Sequence, residues 1–343
     1  TRTFAAISAI SPNLGAAVAA RLLMAPTPPV WGFRLSSPWM FWTTGRRELA
    51  VALMLRDLRA RGFRGCTRNV PFTTTLASST DLLWNFATMM TGFEYSGDGA
   101  DAADWTPARP DVAGDALPGS DVIVVRTVRP NLPVFTTSAA IASTTDPITV
   151  NRQAADTLPV GRTVVISDCN AAAVFAVSNF EGAGTTATLH HETGVTGVGP
   201  GNSTEDIGFE YQPGAQVVPV DTVVYYIAES DTVRDVVNPS LWRVIGSDDP
   251  QELIEGVEAL QVEYGVDTNG DRIVNEYQDA SEVTNWDNVM SVTFAVLIRS
   301  TQPNARETDN RTWNLLGTEY GPFEDHFERT IYTTTVTLRN ATS

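Results

Sequence analysis

Residues 45–66, GRRELAVALMLRDLRARGFRGC, carry apolar positions at helical spacing, and nearly everything after them alternates as strand and turn. Val51, Met54, Leu55 and Leu58 follow the i, i+3, i+4, i+7 pattern of one helical face, which Leu49, Ala52 and Leu53 widen. Arg46, Arg47, Glu48, Arg56, Asp57, Arg59 and Arg61 take most of the other side. Gly62 supplies a stop, and the basic residues of the last turn suit the negative end of the helix dipole. Strands are predicted at Asp121–Thr127, Thr163–Ser167, Ala173–Ser178, Thr185–His191, Gln216–Ala228, Leu241–Ile245, Gln261–Val266, Met290–Arg299 and Thr330–Leu338. Shorter ones are expected near Pro133–Thr136 and Ile148–Asn151. Pro250–Leu260 reads as a short helix with Ile254, Val257 and Leu260 on one side. One amphipathic helix ahead of a long β-rich region implies an α+β architecture, the helix laid across a sheet.

Residues 1–44 depart from this pattern. Between Thr3 and Thr44 the only charges are Arg21 and Arg34. The uncharged run from Thr3 to Ala20 has about the length that spans a bilayer. It is a poor transmembrane helix, however, because it contains Ser, Asn and Pro12. Pro26, Pro28, Pro29 and Pro38 then break any continuous helix. The chain therefore divides into an atypical apolar segment, 1–44, membrane-proximal or mis-specified, and a helix plus β-rich globular domain, 45–343. Residues 67–118 are turn-rich, and Asp98, Asp101, Asp104, Asp111 and Asp115 there read as a solvated loop.

The formal net charge of -17 argues against binding nucleic acid through its phosphates, which needs a basic surface, and against attraction to anionic lipid. All 23 basic residues are arginine. Cys66 and Cys169 are the two cysteines, and their spacing alone leaves a disulfide and two free thiols equally open.

The best local candidate for chemistry is DTNGDRIVNEYQD, Asp267–Asp279. Asp267, Asn269 and Asp271 occupy the first, third and fifth places of a calcium loop, where alternating oxygen ligands wrap a hard cation. Asn275 and Glu276 stand nearby but out of register, Arg272 takes the place of the usual Gly, and Gln278 that of the closing carboxylate. The other reading is an Asp/Asn/Gly turn between strands that needs no metal. His190 and His191 are adjacent on a strand and so point to opposite faces, and His326 is remote, a poor set for zinc. There is no GxSxG, no HExxH and no phosphate-cradling loop, and GVGPG, Gly197–Gly201, lacks a following helix and lysine.

Several stretches taken in order resemble the PilW-type minor pilins of type IV pili. They are LRDLRARGFRGC (Leu55–Cys66), GSDVIVVR (Gly119–Arg126), VVISDCNAAAVFAV (Val164–Val177), VVYYIA with LWRV, EGVEALQVEYGVDTNGDRIVNEY (Glu255–Tyr277), WDNVMSVTFAVLIRS (Trp286–Ser300) and YTTTVTLRN (Tyr332–Asn340). The J-type minor pseudopilins of type II secretion are a close second. The resemblance implies a pilin-like fold, an N-terminal helix packed on antiparallel sheet beneath a β-rich head. It implies assembly rather than catalysis: a subunit that primes the filament and sits near its tip, beside other minor and major pilins and sometimes a tip adhesin. Its location would be the inner membrane and periplasmic face before assembly, then the extracellular pilus. It also raises the expectation of a disulfide at Cys66 and Cys169. A type IV pilin begins with a basic leader and an apolar helix with Glu at its fifth position. Residues 1–44 show none of this, with no acid before Glu48; the explanations are a wrong reading frame or start upstream of about residue 45, which is favoured, a divergent or degenerate subunit, or a downstream match in fold but not in role.

Two other classes stand beside the minor pilin. One is an exported β-rich module that holds calcium, a ligand or an adhesion partner through acidic loops. The other is an exported hydrolase, which rests only on size and polar loops.

Overall fold

β-branched runs broken by Gly, Pro and Asp turns put most of the chain into strands. The computed structural model describes residues 51–63, 70–195, 199–232 and 236–338. Residues 1–50, and with them the reading of residues 1–44, lie outside that description, as does Cys66. Residues 45–343 form one compact unit.

The described strands open with three short ones, β1 (Phe72–Thr74), β2 (Met90–Tyr95) and β3 (Trp105–Thr106), before the buried β4 (Val122–Val128). A group of six follows: β5 (Phe135–Thr137), β6 (Ile148–Asn151), β7 (Thr163–Ser167), β8 (Ala172–Ala176), β9 (Asn179–Ala183) and β10 (Thr186–His190). β11 (Gln216–Glu229) is the longest, and β12 (Pro239–Ile245) and β13 (Gln251–Glu255) pair in turn beside it. The chain closes with β14 (Val257–Val266), β15 (Glu276–Gln278), β16 (Val289–Arg299), the small hairpin of β17 (Trp313–Leu315) and β18 (Thr318–Tyr320), and β19 (Arg329–Thr337).

β11 links two wings of one thirteen-stranded sheet. Its start pairs with β5 and β7, which extend through β8, β6, β10 and β9. Its end pairs with β4 on one side and β12 on the other. Both faces are covered, so Val217–Ala228 is buried without interruption and reads as a continuous apolar run. Alternation still sorts the side chains: Val223, Tyr225 and Ile227 enter one core, and Val224, Tyr226 and Ala228 the opposite one. The first core is shared with a second, antiparallel sheet of order β15-β14-β16-β19, which contributes Leu260, Val262, Tyr264, Val292, Phe294 and Val296. Two sheets facing across one apolar layer make a sandwich.

The expected helix over Pro250–Leu260 is not there. The segment is β13, a turn at Gly256, and the start of β14. Ile254, Val257 and Leu260 do share a core, but from two strands rather than one helical face. Gly256 makes the corner possible: its φ is +91°, and a Cβ there would lie 2.6 Å from the carbonyl oxygen of Arg299. β2 was hidden within a stretch read as turns. Gly92 in its middle allows the hydroxyl of Tyr264 to sit where a side chain would project, 2.2 Å from an added Cβ. Gly92→Ala is therefore expected to lower stability by about 1–3 kcal/mol through overpacking, as thermal unfolding would show.

Residues 51–59 are helical. Val51, Met54 and Leu58 are buried in the sandwich core, and Leu55 packs against it. Asp57 and Arg61, expected on the solvent side, are buried as well. Asp57 stands three positions after Met54, on the same helical face, and Arg61 lies beyond the helix, in an isolated bridge to Thr127. Tyr225 donates to Asp57 Oδ2 at 2.7 Å, and Arg61 Nη2 donates to the carbonyl of Val289 at 2.6 Å. The helix, through Asp57, and Arg61 just beyond its end thus bond to β11 of the first sheet and β16 of the second. No helix among the described residues is long and apolar enough to cross a membrane.

Candidate functional site

The candidate calcium loop joins β14 to β15. Both oxygens of Asp267 are turned onto the loop's own backbone: Oδ1 accepts from the N–H groups of Asn269 and Gly270, and Oδ2 from that of Arg272. Burial works against the charged carboxyl, but these N–H groups and that of Asp271 hold it below the ordinary Asp range. Asn269 Oδ1 accepts from Asp271, and Asp271 Oδ1 from Ile273, so the loop is a succession of Asx turns. Asn269 Nδ2 donates to Asp271 Oδ2, and Asn275 Oδ1 turns to the Thr268 N–H. Glu276 is on β15, with its carboxylate accepting from Gln278. The structure brings Asp267, Asn269 and Asp271 together and leaves Glu276 on the neighbouring strand. Among the described residues no three His, Cys, Asp or Glu side chains are placed to hold a metal.

The histidines face apart. His191 is buried against Phe175, with Nε2 2.9 Å from the carbonyl of Asp146. His190 stands 3.7 Å from Glu192. No described histidine ring hydrogen-bonds a serine or cysteine side chain. Cys169 sits in the turn between β7 and β8, and no described cysteine is a free thiol.

Two buried polar clusters escaped the sequence reading, because their members lie far apart along the chain. The first surrounds Asp121. Its Oδ1 accepts from the N–H of Tyr95 on β2 and its Oδ2 from that of Val262 on β14, so one carboxylate ties both sheets. Ser120 adds to the tie, accepting from the N–H of Leu260. Glu94 shares this region, and its pKa is pushed up to about 7 by burial first, then by Asp279, Glu263 and Glu282. Between the ordinary Glu value of about 4.3 and about 7, the folded chain keeps a proton that the unfolded chain has released. Stability is therefore expected to fall as pH rises through that window, and Glu94→Gln should flatten the dependence. Melting temperatures of both proteins between pH 4.5 and 7.5 check this; parallel curves would contradict it.

The second cluster centres on Arg329, whose side chain is wholly buried. Its guanidinium grips Glu258 in a fork, Nε to Oε2 at 2.6 Å and Nη2 to Oε1 at 2.9 Å. Nη1 and Nη2 reach the two oxygens of Asp325 at 2.6 and 2.7 Å. Asp309 lies 3.4 Å from Nη1, and the Phe323 ring stacks 3.7 Å from the guanidinium carbon. Arg299 bonds the same Glu258 and lies over Phe327. Burial opposes the charge on Asp309, but hydrogen bonds from Arg311 and Trp313 hold its pKa at about 2. The network fastens residues 309–327 to the ends of β14, β16 and β19.

These arrangements hold sheets and loops in place; none presents a nucleophile to a base. Residues 224–340, about a third of the chain, match the family model described as type IV pilus-assembly protein W. No curated protein matches the sequence. A solved structure, the type IV-like pilin TTHA1219 from Thermus thermophilus, superposes with a TM-score of 0.31 at 9% identity, covering 88% of this chain and 97% of that one. The family match confirms the resemblance drawn from the later stretches, while those between Leu55 and Val177 lie outside it. From the middle of β11 through β19, then, this chain is similar to type IV pilus-assembly protein W.

Proposed function

We propose that this chain is a minor pilin, a non-enzymatic structural subunit that primes type IV pilus assembly and sits at or near the filament tip. The family match over residues 224–340 carries the reading. The helix of residues 51–59, fixed into the core by Met54, Leu58 and Asp57, supports it: such a join lets a preceding segment transmit force to the head. Its partners are other pilus subunits, it faces the inner membrane before assembly, and it ends in the extracellular pilus. Deleting its gene is expected to reduce piliation at least tenfold, with recovery on complementation. Normal pili in the deletion strain would overturn the proposal.

An exported subunit meets an oxidising compartment, and the reading includes a Cys66–Cys169 disulfide. Closing so long a loop stabilises by about 4–5 kcal/mol in the chain-entropy model. Peptide mapping of the unreduced protein should recover the two cysteines in one cross-linked peptide, and reduction should lower the melting temperature. The calcium-binding alternative predicts instead a calcium-dependent rise in melting temperature that Asp267→Ala with Asp271→Ala removes.

A further inference from the structure

Among the described residues, the last strand of the four-stranded sheet has a partner on one side alone. β19 pairs with β16 through nine consecutive register positions, without a bulge, and no other described strand pairs with it. The N–H of Ser300 donates to the carbonyl of Glu328, and that of Leu338 to the carbonyl of Met290. Even-numbered residues thus turn their backbone groups toward β16, and Ile331, Thr333, Thr335 and Thr337 turn theirs outward. Thr333, Thr335, Thr337 and Tyr332 are exposed. Soluble proteins blunt such an edge with charge, proline or a bulge. From Thr330 to Leu338, TIYTTTVTL, there is no charge, no proline and no glycine. The other edge strands of the two larger sheets, among the described residues, differ: β1 and β15 are three residues long and β3 two, β9 carries Glu181, and β13 carries Glu252 and Glu255.

We propose that the outer edge of β19 is a self-association strand, through which two copies of this chain join their four-stranded sheets into one. The sequence of the strand is what selects a second copy. In antiparallel pairing centred on Thr334, Thr333 meets Thr335 and Ile331 meets Thr337, each twice. These are the residues whose backbone groups point outward, so about eight N–H···O bonds form. Tyr332 meets Val336, an aromatic residue against a β-branched one, and threonine meets threonine, both favourable cross-strand pairs. In a chain of net charge -17, this is a nine-residue edge that puts no like charges together.

Sedimentation equilibrium of the full chain tests this, with thermal unfolding as the check on folding. Wild type should dimerise. Thr333→Glu with Thr335→Glu sets like charges opposite each other twice and should raise the dimer dissociation constant at least tenfold. Thr333→Glu with Thr335→Lys sets opposite charges together in this register alone and should restore the dimer. A monomeric wild type overturns the proposal, and so does a dimer indifferent to the double glutamate. A Glu/Lys variant no better than Glu/Glu overturns the register. A monomer whose β19 instead binds another pilus subunit gives the edge to a different occupant and overturns self-association.

Discussion

Replacing Arg329 with methionine is expected to lower the unfolding free energy by about 3–5 kcal/mol, the usual cost of removing one partner from a buried ion pair. The wild-type guanidinium is wholly buried and satisfied by Glu258 and Asp325, with Asp309 close by. Methionine fills much of the same space but leaves Asp325 without its cation, Glu258 with Arg299 alone and Asp309 with Arg311 alone. Glu258 is largely shielded from water, so the charge left uncompensated there favours proton uptake or draws in solvent. Urea unfolding of the variant measures the loss. A double-mutant cycle with Glu258→Gln should show coupling, the double variant losing less than the sum of the two single ones. A loss below about 1 kcal/mol, the level of a surface pair, would show that the network does not hold the loop.

Met54→Ala and Leu58→Ala are expected to cost about 2–5 kcal/mol each, through lost burial and the cavities left behind. Both side chains are about 1% exposed, in a core that also receives Tyr225, Leu260 and Phe294. Ala52→Glu and Arg59→Ala, on the exposed side of the same helix, should stay within about 0.5 kcal/mol. Equal effects on the two sides would mean that residues 51–59 do not wedge the sandwich.

How much of this was legible in the sequence depended on the range of the interactions involved. β4, β7, β11, β12 and β16 were readable because β-branched runs need no knowledge of their partners. Pro250–Leu260 misled because Ile254, Val257 and Leu260 fit helical spacing, and only the corner at Gly256 redistributes them onto two strands. Asp57 was placed in solvent because a charge on a helix is usually solvated; Tyr225, 168 positions later, reverses that. The same distance problem hid the Arg329 network, whose Glu258 partner is 71 positions away. The calcium-loop spacing shows where the oxygen-bearing side chains stand, but which groups those oxygens accept from is a matter of turn geometry that spacing does not carry.

The most direct measurement is mass spectrometry of a sheared pilus fraction from wild-type cells and from cells lacking this gene. A minor pilin should yield its β14–β19 peptides in the wild-type fraction, well below the major subunit in amount, with few pili recovered from the deletion strain. Absence of those peptides from the fraction, together with normal pilus yield from the deletion strain, would contradict a role in the filament.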